Sequence, residues 1–348
     1  MAKKLMSMLL ACLMVGSLAA CGGSGSGSGD SSAADTGSTQ QSADTGSGTE
    51  AGDGTYNISV ILKTTAAEYW QFVLNGAKAY ETEHEGVTVE VKGPSSETAF
   101  DEQQNMIETD LGNTSYDGYI IAPLQSDMVA TLVEGTDKPV MAVDTNFESP
   151  KKISFIGTGN EAAAALGGAA AVEAAKAAGW EEIKCIEIAG VQGDQTCTDR
   201  MNGYNKGVTE AGGEFLADEV QYADAVADRA VNSMEAIMQT HPEGIAIICA
   251  NNDDMAMAAA RAAAGNEAYA NTIFLGFNGD KAACEAILSD QLTMSVAQMA
   301  YEMGYKAVET MVQALNGETV PEFVDSGADV ITIDNAETRL ATLQEQLG

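Results

Sequence analysis

Short apolar runs rich in β-branched residues occur at 58–62, 87–91, 119–122, 140–143, 153–156, 183–189, 245–250 and 273–276. Continuous apolar runs of this kind read as strands covered on both faces, the signature of a parallel sheet. Between them, residues 70–83, 100–111, 126–135, 161–178, 200–211, 229–240, 255–264 and 281–289 carry helical periodicity and read as crossover helices. Gly86, Gly112, Gly179 and Gly212 supply stop signals. The repeated alternation predicts an α/β fold of doubly wound, Rossmann-like sheets. The span from residue 56 onward is long for one such sheet, so two lobes are expected. The second series starts near Ile183, after an alanine-rich stretch at 162–178 suited to close helix packing. In open parallel sheets ligands bind beyond the carboxyl ends of the strands, so polar residues at those ends are the candidates for chemistry.

The first 20 residues place Lys3 and Lys4 ahead of an apolar run ending in small residues, which is the build of an export signal. The run is short for a bilayer-spanning helix, which needs about 20 apolar residues. Leu18-Ala19-Ala20-Cys21 resembles the lipobox of bacterial lipoproteins, which implies cleavage before Cys21 and lipidation of its thiol. Several acyl chains together anchor a protein stably to the outer face of the cell membrane. A plain secretory signal with a chance cysteine is the alternative. Residues 21–55, almost entirely Gly, Ser, Thr, Ala, Asp and Gln, have no apolar surface to bury and read as a disordered tether. Its reach is roughly 30 Å.

Charge and composition narrow the function classes. Fifty-one Asp and Glu against seventeen Lys and Arg give a net charge of −34, which repels phosphate backbones, so no nucleic-acid partner is expected. Two histidines and six cysteines without a C-x-x-C pair offer no metal site. Cys185 and Cys249 fall in expected strands and Cys284 in a helix, where thiols act as small apolar fillers, while Cys197 is expected in a polar loop. Free thiols are expected, although export permits a disulfide. His241, ahead of Pro242, is expected to cap the last carbonyls of a helix. Gly157-Thr158-Gly159-Asn160-Glu161-Ala162 matches the G-x-G-x-x-A form of a dinucleotide loop. No acidic residue ends the next strand at the required distance, so no cofactor is expected. The body lacks the opening residues of a phosphate-binding loop or a serine-hydrolase elbow.

The informative constellation lies at the strand ends. Tyr69 and Trp70 follow the first strand, Asp144 the fourth, Asn252 and Asp253 a strand of the second series, Asn278 follows Gly276-Phe277, and Gln298 ends 294–297. Sugars are bound by this mixture: their C–H faces pack on aromatic rings, and carboxylates and amides engage neighbouring hydroxyls in pairs. Singly, each residue also suits a core, turn or cap position.

From about Tyr56 to Ile333 the chain resembles the periplasmic sugar-binding protein family that includes ribose- and allose-binding proteins. The carrying segments are ISVILKTTAAEYW (58–70), DGYIIAP (117–123), VMAVDTN (140–146), IGTGN (156–160), RMNGY (200–204), CANNDDMAM (249–257), LGFNG (275–279) and SVAQ (295–298). The resemblance implies a type I periplasmic binding protein fold, with two lobes joined by a three-strand hinge and a ligand between them. The N-terminal lobe would comprise 56–158 plus about 299–326, and the C-terminal lobe 159–298 plus about 327–348. Lys63, Tyr69, Trp70, Asp144 and Thr145 would bind from the first lobe, Asn252 and Asn278 from the second, and Gln298 from the crossing region. Arg200 would brace a loop rather than touch the ligand. The chain departs from the family pattern at Ala67-Glu68 (usually Asn-Pro), Thr145 and Thr198 (often Arg), Ala225 (an aromatic) and Asn278 (usually Asp), which implies a roomier, less charged pocket.

The resulting expectation is a monomeric, lipid-anchored substrate-binding protein of an ABC importer. Its partners would be a monosaccharide, either hexose or pentose, and a membrane permease. A receptor feeding a chemosensory protein or sensor kinase would use the same pocket. An enzyme acting on sugars would need two carboxylates about 5–10 Å apart across a bond. Asp144 alone is assigned to the pocket, so no catalytic residue is expected.

Overall fold

A computed structural model describes residues 54–347. The export signal, Cys21 and all but the last two residues of the tether lie outside the described residues. In chain order the strands are β1 (Tyr56–Ile61), β2 (Val87–Lys92), β3 (Gly118–Ile121), β4 (Val140–Val143), β5 (Lys152–Gly157), β6 (Lys184–Ala189), β7 (Glu214–Phe215), β8 (Gln221–Tyr222), β9 (Ile247–Ala250), β10 (Ile273–Asn278), β11 (Met294–Gln298), β12 (Phe323–Asp325) and β13 (Ala328–Ile331). The helices are α1 (Glu68–Glu83), α2 (Phe100–Leu111), α3 (Ser126–Leu132), α4 (Asn160–Ala177), α5 (Gln195–Glu210), α6 (Ala227–Thr240), α7 (Asp253–Ala263), α8 (Lys281–Leu288), α9 (Ala300–Leu315) and α10 (Ala336–Leu347).

Two sheets result. The first runs β12-β5-β4-β3-β1-β2, with every pairing parallel. The second runs β13-β11-β10-β9-β6-β7, with β8 also on β6 and only β13 antiparallel. Strands β3, β4 and β9 are buried at every position, which accounts for their unbroken apolar sequences. Edge strand β2 alternates buried and exposed positions over its first four residues, VTVE. Helices cover both sheets, and two helix pairs approach closely through glycine. A Cβ on Gly304 of α9 would lie 2.0 Å from Val73 O of α1, and one on Gly203 of α5 would lie 2.2 Å from Glu161 O of α4.

The chain passes between the sheets three times, after β5, after β11 and after β12. These crossings lie side by side. Ser326 N donates to Gly157 O at 2.8 Å, Gly159 N to Asp325 Oδ1 at 3.3 Å, and Gly327 N to the same oxygen at 2.9 Å. From α10, Arg339 donates to Gln298 O at 2.8 Å and to Gly279 O at 3.2 Å. The Gly157–Gly159 segment is thus part of a crossing. A Cβ at Gly157 would strike the Phe155 ring, and one at Gly159 would press on the Asp325 carboxylate.

Three local expectations are corrected. Helix α5 begins at Gln195, because Asp194 Oδ1 caps it by accepting from Cys197 N at 2.8 Å. Cys197 is therefore buried in the first helical turn and not in a loop. The His241 ring does not cap carbonyls of α6: its Nε2 lies 2.5 Å from Glu219 Oε2 and its Nδ1 3.4 Å from Glu243 Oε1. Cys185, Cys197, Cys249 and Cys284 are buried free thiols. Cys185 and Cys249, on neighbouring strands, bring their sulfurs to 3.3 Å.

Candidate functional site

The carboxyl ends of both sheets face one cleft of about 570 Å³. Its first wall comes from the loop after β1 (Lys63), the start of α1 (Tyr69, Trp70), the loop after β2 (Glu97) and the turn after β4 (Asp144, Thr145). Asn160, the β6–α5 segment, the β9–α7 turn, Asn278 and Gln298 form the other wall. Lys63, Tyr69, Trp70, Asp144, Thr145, Asn252, Asn278 and Gln298 therefore share a single cavity. Past Thr145 and Asn160 it opens into a wider groove of about 980 Å³.

On the first wall the polar atoms are held in fixed directions. Tyr69 Oη donates to Asp144 Oδ1 at 2.7 Å, and Thr145 Oγ1 donates to Asp144 Oδ2 at 2.7 Å. Lys63 Nζ lies 3.9 Å from the same carboxylate. Burial and the adjacent Asp144 raise the Tyr69 phenol well above its ordinary range, so it remains a neutral donor. Trp70 Nε1 donates to Glu97 Oε1 at 2.7 Å, and its ring meets that of Tyr69 edge to face at 5.2 Å. Asp144 sits at φ +62°, a left-handed conformation costly for a non-glycine residue and characteristic of functional turns.

On the second wall Gln298 Nε2 donates to Asn278 Oδ1 at 2.9 Å. Asn252 Oδ1 caps α7 by accepting from Met255 N at 2.8 Å, while its amide nitrogen is 3.3 Å from Ala225 O. Asn252 thus serves both as a helix cap and as a cleft residue. Arg200 makes bracing bonds, but it also lines the cleft, where the expectation kept it away from the ligand. Its Nε donates to Asn160 Oδ1 at 2.8 Å, its Nη1 to Asn251 O at 2.6 Å, and its guanidinium lies 3.8 Å from the Phe277 ring centroid.

Asp253 does not join the constellation. It is fully buried and accepts from Gly279 N at 2.8 Å, Asp280 N at 3.2 Å and Ser295 Oγ at 2.5 Å. Burial and neighbouring Asp280 push its carboxyl up to about 7. The next residue, Asp254, lines the cleft instead. Glu97, Asn160 and Asp194 are further lining residues that sequence reasoning missed. Their signal was positional, since Glu97 and Asp194 stand in loops beyond strand ends. Thr198 does not line the cleft and turns its hydroxyl back to Asp194 O, whereas Ala225 lines it with a methyl group. Among the described residues, no group of three or more His, Cys, Asp or Glu is placed to hold a metal ion.

Two parallel-sheet lobes, three adjacent crossings and a polar cleft lined from both sides define a solute-binding clamp. Residues 58–319 match the family model described as periplasmic binding protein domain, and the chain belongs to that family. It is a family of substrate-binding receptors and not of enzymes. The chain is 29% identical to the D-allose-binding periplasmic protein of Escherichia coli over 274 residues, 76% of this chain and 86% of the relative. It is 31% identical over 207 residues to the ribose import binding protein of the same organism, 58% of this chain and 66% of the relative. A carbohydrate transporter solute-binding protein from Agrobacterium radiobacter, solved in complex with D-arabinose, superposes with a TM-score of 0.70. It is 26% identical, with 83% of this chain and 98% of that one covered.

Proposed function

We propose that this protein is the extracytoplasmic, lipid-anchored substrate-binding component of an ABC sugar importer, and that it binds a monosaccharide in the inter-lobe cleft. The carrying observation is the convergence of Tyr69, Trp70, Asp144, Asn252, Asn278 and Gln298, from separate elements of both lobes, on one cavity. A sugar ring would pack its C–H face on the aromatic pair. Asp144, already oriented by Tyr69 and Thr145, keeps lone pairs for two neighbouring sugar hydroxyls. From the other lobe, the amides of Asn278 and Gln298 supply both donors and acceptors.

The lobes in this reading are 56–158 with about 299–326, and 159–298 with about 327–348. Contacts made only when both lobes meet the sugar would drive closure about the three crossings. The closed form would then present the lobe tips of a monomer to a membrane permease, with lipidated Cys21 and the tether keeping it at the outer face of the cell membrane. The names of the relatives, which bind allose, ribose or arabinose, support a pentose or hexose.

Thermal-shift and calorimetric screening over pentoses, hexoses, deoxy sugars and polyols tests the reading. A ligand at one hundred times its Kd stabilises the native state by about 2.7 kcal/mol and raises the melting temperature accordingly. A panel in which no sugar shifts the melting temperature refutes it.

A further inference from the structure

Glu187, on β6 one layer behind the cleft, is a buried acid that the binding reading does not use. It has no solvent exposure. Its Oε1 accepts from Asn251 Nδ2, and its Oε2 has no hydrogen-bond partner. An ionised carboxylate left half-unpaired in such surroundings is far more costly than a neutral acid.

Asn251 is the link from this acid to the site. Its Oδ1 accepts from Gly190 N at 2.9 Å, fixing the start of the β6–α5 segment, and its main-chain oxygen accepts from Arg200 Nη1 at 2.6 Å. Arg200 in turn holds Asn160 and lies over Phe277, the neighbour of Asn278. Four segments that face the cleft from the second lobe therefore meet at Asn251 and Arg200: the β5–α4 crossing, the β6–α5 segment, the β9–α7 turn and the end of β10.

We propose that Glu187 is a positioning residue of the ligand site. As a neutral acid it anchors Asn251, and through Asn251 and Arg200 it sets the second-lobe wall. Ionising it leaves a buried charge whose Oε2 has no partner, and satisfying that charge makes the wall rearrange without any contact to the ligand. Burial supports this state by pushing the carboxyl up to about 8, against the lowering influence of the Asn251 amide and the Arg200 cation. Tyr204, Cys249 and Cys197 are ionisable groups close enough to feel the Glu187 charge. Burial raises the Tyr204 phenol and Cys249 thiol well above their ordinary values and pushes Cys197 up to about 11. Cys185 of β6 lies on the same sheet face. Helix α4, packed on this side, buries only alanines, glycines and Val172.

The positioning claim stands on the ligand-free geometry, while its effect on affinity rests on the sugar-binding reading. NMR of the full ligand-free chain follows the Glu187 carboxyl carbon and the Gly190 amide from about pH 6 to 9.5. A shared midpoint near 8 is expected, with the Gly190 transition absent in Glu187→Gln, whose amide mimics the neutral acid. Calorimetry with D-allose and D-ribose then reads affinity. The wild type should bind about 2–10-fold more weakly at the alkaline end, the worth of one buried hydrogen bond. Glu187→Gln should match the wild type at the acid end within about twofold and stay flat. Asp253 titrates nearby but is present in both proteins, so their difference isolates Glu187. Identical affinity profiles, or a Gly190 amide that does not follow the carboxyl, overturn the proposal. If neither sugar binds at any pH, the choice of ligand falls while the NMR comparison still decides the role of Glu187. If Glu187→Gln does not fold, the wild-type midpoints decide alone.

Discussion

Gly304→Ala on α9 perturbs the ligand site through packing alone. A Cβ at this position would lie 2.0 Å from Val73 O, whereas ordinary contact begins at 3.4 Å, so α1 and α9 must part by about 1.4 Å. The obstruction is backbone, which cannot rotate away. Gly76 makes the reciprocal approach to Tyr301 O, so the strain is not relieved by sliding the helices. Overpacking of this kind costs about 1–3 kcal/mol, offset by the ~1 kcal/mol that alanine gains over glycine within a helix. A net loss of up to about 2 kcal/mol is expected, read as a lowered urea midpoint. Because Tyr69 and Trp70 occupy the first turn of α1, moving that helix also disturbs the 2.7 Å bond from Tyr69 to Asp144. Sugar affinity should therefore fall about fivefold, the worth of one hydrogen bond, while the second lobe is unchanged. Gly135→Ala, where a Cβ meets nothing within 4 Å, is the control and should leave both quantities unchanged. A midpoint and a sugar affinity both unchanged in Gly304→Ala would refute the close-packing argument.

Trp70→Ala should cost about 1–3 kcal/mol in sugar binding by calorimetry, since it removes stacking area and leaves Glu97 without its indole donor. Asp144→Asn should bind less tightly through loss of the charge-assisted bonds but fold normally, because Asn tolerates the left-handed backbone. Asp144→Ala should in addition lose about 1 kcal/mol of stability, seen in urea melts. The raised carboxyl of Glu187 makes folding bind a proton between the unfolded value near 4.5 and about 8. Its contribution is therefore fully present below pH 4.5 and is lost as pH rises through 8. Relative to Glu187→Gln, the wild type should become less stable over that window by on the order of a few kcal/mol, and parallel pH–stability curves would contradict this. Cys21→Ala should abolish labelling by radioactive fatty acid and release the protein from membranes, as fractionation would show.

Much of the architecture is legible in local pattern. Helix α2 occupies 100–111 as its periodicity predicts, and strands β3, β4 and β9 coincide within two residues with apolar runs that only a doubly covered sheet accommodates. Side-chain period and strand-end polarity are properties of the chain itself, so Tyr69, Trp70, Asp144, Asn252, Asn278 and Gln298 could be named in advance, whereas Lys63 and Thr145 were named only by the family resemblance. Helix α5 shows where local reading falls short. Its Asp194 cap is a recognisable signal, but the Gly-Asp-Gln surroundings mask a helix that tertiary burial of Cys197, Gly203 and Tyr204 extends. Strands β12 and β13 are three and four residues long and carry polar positions, so nothing local marks them.

What the amino-acid sequence determined by itself is the acidic balance, a matter of composition, and the alternation of strands and helices with polar residues at strand ends, which depends on neighbours within a few positions. Only the tertiary structure decided which of those residues meet. Asp253 and Asp254 are adjacent in the chain, yet one is sealed against Ser295 and the other faces the cleft. The link from Glu187 through Asn251 to Gly190 and Arg200 joins residues as far as 64 positions apart. Such pairings depend on sheet order and on three crossings, and these are set by the summed packing of two cores that no short window of sequence contains.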